Sequence, residues 1–98
     1  MKSDYDICVI GAGPGGYVAA IRAGQLGAKA AIVEKDFPGG TCLNRGCIPT
    51  KTFIASVEAL KTIKNASEFG GVVEGEARAD WKSMLSRKNE IVGKLRSG

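Results

Sequence analysis

A glycine-rich segment that directly follows a short apolar run constrains the fold of this chain more than any other feature of its sequence. The segment, Gly-Ala-Gly-Pro-Gly-Gly, occupies residues 11–16, and the apolar run before it predicts a buried strand over residues 5–10. Small and apolar residues then favour a helix from Pro14 to about Gly27, which is the expected stop. Another apolar run predicts a strand over residues 30–34. The pattern is that of a β-α-β unit with a right-handed crossover.

The rest of the chain predicts helices. Apolar residues recur at the helical period from about Thr50 to Asn65, and the pair Gly70-Gly71 should break that helix. Asp80 is the expected N-cap of a further helix. The apolar stripe of this last helix, expected to be core, comprises Trp81, Met84, Leu85, Ile91, Val92 and Leu95. The sequence therefore predicts an α/β fold, one domain or part of one, in which a β-α-β unit is followed by two further helices.

The glycine-rich segment also has the spacing of a nucleotide-binding loop. Gly11 allows a tight turn, Gly13 the close approach of a pyrophosphate, and Gly16 close packing of the helix. The amino terminus of that helix offers free N–H groups and the positive end of the helix dipole to phosphates. Glu34, at the end of the second predicted strand, can accept hydrogen bonds from both ribose hydroxyls of an adenosine. These features do not distinguish FAD from NAD, and a glycine-rich turn in an unrelated α/β domain stays open as the alternative.

Two cysteines, Cys42 and Cys47, lie five positions apart and predict a redox dithiol. In a regular helix this separation corresponds to about 7.5 Å of rise. A disulfide needs Cα atoms roughly 4.4 to 6.8 Å apart. Gly46 is flexible, and Pro49 disfavours helical geometry at Ile48, so both supply a distortion. We therefore expect a kinked segment that leads into the second helix.

The surroundings of the cysteine pair favour redox chemistry over its rivals. A helix amino terminus and the neighbouring Arg45 and Lys51 would stabilise a thiolate, the form that attacks disulfides. Zinc is disfavoured, because the chain has three cysteines and no histidine, and Cys8 is expected to be a small core residue of the first strand. No metal site is expected. A purely structural disulfide stays open, although the lack of an export signal argues for a reducing compartment.

Composition argues against other classes of function. The formal net charge is +4, but the basic residues of the carboxyl-terminal half alternate with apolar positions as on a solvated helix face. Nucleic acid is therefore not an expected partner. Residues 1–6 carry two acids, and glycines and a proline interrupt the apolar stretch that follows. We expect neither a signal peptide nor a membrane span, and hence a cytoplasmic location.

The stretch from Gly39 to Lys51, Gly-Gly-Thr-Cys-Leu-Asn-Arg-Gly-Cys-Ile-Pro-Thr-Lys, resembles the redox-active segment of the FAD-dependent pyridine nucleotide-disulfide oxidoreductases. It is most similar to the members of that family which oxidise dihydrolipoamide, and residues 88–98 also look like theirs. Arg45 and Thr50 stand where many relatives have valine and serine. The resemblance implies a Rossmann-like FAD-binding domain.

The resemblance also implies a role for each site residue. Cys42 would be the thiol that exchanges with the lipoyl disulfide, and Cys47 would be the charge-transfer thiol that lies against the isoalloxazine. Dihydrolipoamide would reduce the disulfide, electrons would pass to FAD, and NAD would receive a hydride. The residues expected to contact FAD are Gly11, Gly13, Pro14, Gly15, Gly16, Glu34, Lys35, Gly40, Thr41 and Lys51.

Enzymes of this family are several times longer than this chain. Residues 1–98 are therefore expected to be the amino-terminal part of the FAD-binding domain, without the NAD-binding domain or the interface domain that carries a catalytic histidine and acid. The whole enzyme would be a homodimer acting on the lipoyl group of a carrier protein in 2-oxoacid dehydrogenase or glycine cleavage complexes, whereas these residues alone would be inactive. A non-catalytic flavin- or partner-binding fragment and a flavin-free dithiol redox protein are the alternatives.

Overall fold

Two parallel strands joined by a helix form the first half of the molecule, as the sequence predicts. The structure is a computed structural model that describes residues 3–98, so residues 1–2 of the amino-terminal segment lie outside it. Strand β1 (Ile7–Ile10) pairs in parallel with β2 (Ala30–Val33), and helix α1 (Pro14–Gln25) connects them. Parallel strands need such a crossover. The α/β class and the order of these elements are confirmed.

The second half of the chain is helical. Its elements are α2 (Gly40–Arg45), α3 (Cys47–Lys64), a short 3-10 helix (Ala66–Phe69) and α4 (Trp81–Ser97). The expected start of a helix at Thr50 is therefore wrong: Pro49 lies in the first turn of α3, where its missing N–H group would have no helical partner. None of the helices within residues 3–98 is long and apolar enough to cross a membrane.

Helix α4 begins where the sequence predicts, at an aspartate cap. The carboxylate of Asp80 accepts hydrogen bonds from the N–H group of Ser83 at 3.2 Å and from its hydroxyl at 2.6 Å. Both bonds favour the charged carboxylate and lower the pKa of Asp80 below its ordinary value. The start of α4 packs on α3, where Trp81 stacks on Phe53 with 5.1 Å between ring centroids. Helices α3 and α4 thus pack against each other, beginning at this contact.

Few side chains of the described residues are buried. Ala12 and Val92, at 3% and 5% exposure, are the buried apolar residues within residues 3–98. The molecule is elongated, with extents of 72 × 24 × 16 Å, so most helices have an uncovered side. The expectation that the apolar stripe of α4 is core is confirmed for Val92 but wrong for Trp81, Leu85 and Leu95, which are 62%, 38% and 49% exposed.

Cys8 is exposed, so the expectation that it is a buried core residue is wrong. Its neighbour Val9 faces α1, since the Val9 side chain borders Gly16 of that helix. Successive residues of a strand point to opposite faces of a sheet. Cys8 and Ile10 therefore face away from α1, and Ile10 is 89% exposed. An apolar strand is buried only when both faces of its sheet are covered.

Replacing Gly16 by alanine is expected to lower the free energy of unfolding by about 1 to 3 kcal/mol, the usual cost of extra volume in a packed site. A Cβ atom at this position would clash with the carbonyl oxygen of Gly11 in the turn between β1 and α1. Gly15→Ala is the matched control, because nothing lies within 4 Å of a Cβ atom there. Urea unfolding of both variants measures the difference, and equal stabilities would contradict this close approach.

Candidate functional site

The glycine-rich loop turns tightly into the start of α1. Gly11 has a φ of +99°, which favours glycine, and its N–H group donates a 2.7 Å hydrogen bond to the carbonyl of Val33. Gly13 is the N-cap residue and has no side chain to cap the first turn, which Pro14 opens. A Cβ atom at Gly15 would point into open space. The loop therefore presents backbone N–H groups and the positive end of α1 together, an arrangement that suits phosphate binding.

The carboxylate of Glu34 connects the end of β2 to this loop. One oxygen accepts a 2.8 Å hydrogen bond from the N–H group of Ala12, and the other accepts one of 3.1 Å from Asp36. These bonds favour the charged form and lower the pKa of Glu34 below its ordinary value. An ionised carboxylate has about four acceptor positions, so positions remain for hydroxyl donors. Lys35, the next residue, is exposed.

A second pair of glycines packs directly on the glycine-rich loop. The N–H group of Gly39 donates a 2.7 Å hydrogen bond to the carbonyl of Ala12. A Cβ atom on Gly40 would lie 2.7 Å from the Cα atom of Gly13, and both Gly39 and Gly40 have positive φ angles, of 105° and 66°. Glycine is therefore required for the two backbones to come this close. This contact brings the start of α2 against the predicted phosphate site.

Cys42 and Cys47 form a disulfide across the junction of α2 and α3, with Cα atoms 4.6 Å apart. Gly46 breaks the helix with φ −124° and ψ −107°. A Cβ atom there would lie 3.0 Å from the carbonyl oxygen of Thr41, an exposed residue of α2. The expected kink is confirmed, but it lies at Gly46. The expected distortion before Pro49 is wrong, because that residue is already within the first turn of α3.

The two cysteines have different surroundings. Cys47 is exposed and is the first residue of α3, an 18-residue helix whose dipole favours a thiolate at this end, whereas Cys42 is half-buried. Arg45 forms an exposed ion pair with Asp36, with 2.9 Å between Nη2 and Oδ2. Lys51 is exposed one turn after Cys47 and borders a groove between α3 and α4. The charge of Arg45 is thus shared with a carboxylate, and the pair also ties α2 to the segment after β2.

Asn44, Arg96 and Phe37 also lie at the site, although no sequence pattern predicted a role for them. Asn44 donates hydrogen bonds through Nδ2 to the carbonyls of Pro38 at 3.1 Å and Gly40 at 2.9 Å. Its Oδ1 accepts a 2.9 Å bond from Nε of Arg96, whose guanidinium lies 4.0 Å from the ring centroid of Phe37. In the sequence, the position of Asn44 between the two cysteines was the feature that could have marked it as a site residue. Arg96 has no local signal, because 52 residues separate it from Asn44.

Residues 5–98 match the sequence profile of the pyridine nucleotide-disulphide oxidoreductase family. The chain belongs to this family, as its cysteine segment predicts. The β-α-β unit, the glycine-rich loop and the adjacent disulfide agree with that membership.

Several curated relatives of this chain are dihydrolipoyl dehydrogenases. Over 98 residues the chain is 51% identical to the protein of Acholeplasma laidlawii, 49% to that of Rhizobium etli and 46% to that of Bacillus subtilis. The alignments cover 100% of this chain but 29%, 20% and 20% of these relatives. The chain is thus similar to the amino-terminal segment of dihydrolipoyl dehydrogenases and spans less than a third of their length.

The contribution of Glu34 to stability is expected to disappear in acid. Because folding lowers the pKa of this carboxyl from its ordinary value of 4.5, its hydrogen bonds stabilise the fold above that value. The stabilisation is lost as the pH falls through the lowered pKa, since the unfolded state then binds the proton more readily. The difference in unfolding free energy between the native chain and Glu34→Gln should therefore shrink between neutral pH and strong acid.

Thermal unfolding at a series of pH values measures this difference. Glu58→Gln removes the same charge from the exposed face of α3 and serves as the control. A difference between the native chain and Glu34→Gln that does not change with pH would show that the carboxylate does not hold the loop.

Proposed function

We propose that residues 1–98 are the amino-terminal part of the FAD-binding domain of a dihydrolipoyl dehydrogenase. In this proposal the Cys42-Cys47 disulfide takes an electron pair from dihydrolipoamide, which then passes to FAD and to NAD. The observation that carries the proposal is the contact between Gly40 and Gly13, because it joins the disulfide-bearing helix to the loop suited to phosphates. A redox disulfide and a dinucleotide site thereby share one small region of the molecule.

The groups around the glycine-rich loop fit FAD. The backbone at Gly13 and Gly15 can approach a pyrophosphate, since no Cβ atom intervenes, and the uncapped start of α1 provides N–H donors. The charged carboxylate of Glu34 can accept from ribose hydroxyls. FAD, when bound, supplies a two-electron acceptor next to the dithiol. The residues proposed to hold it are Gly11, Gly13, Pro14, Gly15, Gly16, Glu34, Lys35, Gly40, Thr41 and Lys51.

The chemistry proposed for this chain is thiol-disulfide exchange. A thiolate of dihydrolipoamide attacks the sulfur of Cys42, a new disulfide forms with the substrate, and the bond to Cys47 breaks. Cys47 leaves as a thiolate, which the amino terminus of α3 stabilises. The second substrate thiol then attacks the substrate sulfur in the mixed disulfide, which releases Cys42 and forms the cyclic disulfide of lipoamide. The substrate loses two electrons and two protons, and the protein disulfide is reduced to a dithiol.

The remaining parts of the reaction are proposed to lie outside residues 1–98. Transfer of a hydride to NAD needs a nicotinamide site, and the thiol protons need an acid-base group such as histidine, which this sequence lacks. We propose that an NAD-binding domain and an interface domain of a homodimer supply them. The proposed partner is the lipoyl group of a carrier protein in 2-oxoacid dehydrogenase or glycine cleavage complexes, and the proposed location is the cytoplasm.

The proposal predicts that the purified chain retains FAD and that dihydrolipoamide reduces its disulfide. Flavin absorption after gel filtration measures retention. Alkylation of new thiols followed by mass spectrometry measures reduction of Cys42 and Cys47, with Cys8→Ser as the control for the third cysteine. Reduction without retained flavin would instead favour the flavin-free dithiol protein. Retained flavin with an unreactive disulfide would favour a non-catalytic flavin-binding unit.

Glu34→Ala is expected to weaken the binding of FAD about tenfold, the effect of leaving hydroxyl donors without an acceptor. Quenching of flavin fluorescence during titration measures the dissociation constant. Glu58→Ala, on α3, is the matched control and should bind FAD like the native chain. An unchanged affinity in the Glu34 variant would exclude the assigned ribose contact.

A further inference from the structure

Helix α4 reaches back to the cysteine segment through one arginine. Nε of Arg96, in the last turn of α4, donates a 2.9 Å hydrogen bond to Oδ1 of Asn44. Asn44 lies on α2 between the two cysteines of the disulfide. The guanidinium of Arg96 also lies over the ring of Phe37, 4.0 Å from its centroid, which limits its orientation. The arginine is half-buried, so this contact is partly shielded from water.

The polarity of this contact determines how Asn44 is held. An arginine side chain has only donors, so it selects the oxygen of the asparagine amide. The amide nitrogen must then point the other way, where it donates to the carbonyl oxygens of Pro38 and Gly40, which can only accept. All three hydrogen bonds are therefore mutually consistent, and a flipped amide would lose all of them.

These contacts link α2, α3 and α4 around the disulfide. Arg96 joins α4 to α2, and α4 is joined to α3 by the stacking of Trp81 on Phe53. Apart from the disulfide, the covalent connection between α2 and α3 is Gly46, and glycine is the most flexible residue. After reduction, the contacts of Asn44 and Arg96 therefore help to hold the two helices in place. The orientation of α2 relative to α3 decides how far apart the two thiols lie after reduction.

We propose that Arg96 is a positioning residue for the redox pair: acting through Asn44, it keeps Cys42 next to Cys47 when the disulfide is open. Its effect is to raise the effective concentration of one thiol at the other, and therefore to favour re-formation of the disulfide. The same asparagine holds Gly40, which packs on Gly13 of the glycine-rich loop. Arg96 thus connects the end of α4 to both halves of the site. This inference rests on the proposed function only in taking the dithiol as the reacting group.

The test is the equilibrium of the full chain with dithiothreitol. In this exchange the dithiol of the reagent becomes a cyclic disulfide while the protein disulfide becomes two thiols, so atoms and electrons balance. Alkylation and mass spectrometry give the ratio of bridged to reduced protein. Arg96→Met is expected to lower the equilibrium constant for disulfide formation about three- to tenfold, as for the loss of one hydrogen bond. Lys94→Met, which removes the same charge from the same helical turn, should leave it unchanged.

A double-mutant cycle distinguishes positioning from a general structural role. Asn44→Ala should lower the constant by itself, and adding Arg96→Met to that variant should cause no further fall, because the two residues act through one contact. Arg96→Lys keeps the charge but loses the planar donor group, so it should lie between the native chain and Arg96→Met. Circular dichroism of each variant establishes that the helices are intact.

The outcomes separate this inference from the proposed function. A native chain that forms no disulfide at any dithiothreitol ratio would overturn both. A native disulfide with equal constants in the native chain and in Arg96→Met overturns the inference alone, as does an additive double mutant. If Arg96→Met does not fold, an Arg96→Lys variant with the native constant overturns it equally.

Discussion

The site depends on one close contact between two glycine segments. The turn at Gly39 and Gly40 approaches the loop at Ala12 and Gly13 so closely that the hydrogen bond from Gly39 to Ala12 is 2.7 Å long and a side chain at Gly40 would overlap Gly13. Because α2 begins at Gly40, this contact decides where the disulfide lies. It requires a residue without a Cβ atom at Gly40, whereas a Cβ atom at Gly13 would lie at an ordinary 3.8 Å from the Cα atom of Gly40. A dinucleotide site and a redox disulfide can be neighbours in so short a chain for this reason.

Polar side chains then hold the two segments in place. Glu34 ties the end of β2 to the loop through Ala12, and the N–H groups of Ala12 and Asp36 favour its charged form and lower its pKa. Asn44 holds the turn at Gly40 from the other side. Arg96 in turn holds Asn44 from the far end of the chain. The position of the disulfide thus depends on β2, the glycine-rich loop and α4 as well as on α2 and α3, which carry its two cysteines.

Hydrophobic burial contributes less to this arrangement than the composition suggests. The apolar fraction of the chain is 44%, yet the strand residue Ile10 is 89% exposed and Trp81 at the start of α4 is 62% exposed. Their sequence patterns are those of residues with a partner surface. The chain spans 29% or less of the relatives compared above. The apolar surfaces of β1 at Ile10 and of α4 at Trp81 are thus left uncovered by the rest of residues 3–98.

Features that depend on neighbouring residues are predictable from the sequence: the β-α-β unit from its apolar runs, the tight loop from the spacing of its glycines, the Asp80 cap, and the kink between Cys42 and Cys47. Each follows from local geometry, because a residue type restricts its own backbone or that of its neighbours. Tertiary packing decides which faces are covered and which distant side chains meet. The exposure of Cys8 depends on what packs on the sheet, and the bond between Arg96 and Asn44 spans 52 residues that a local pattern does not connect.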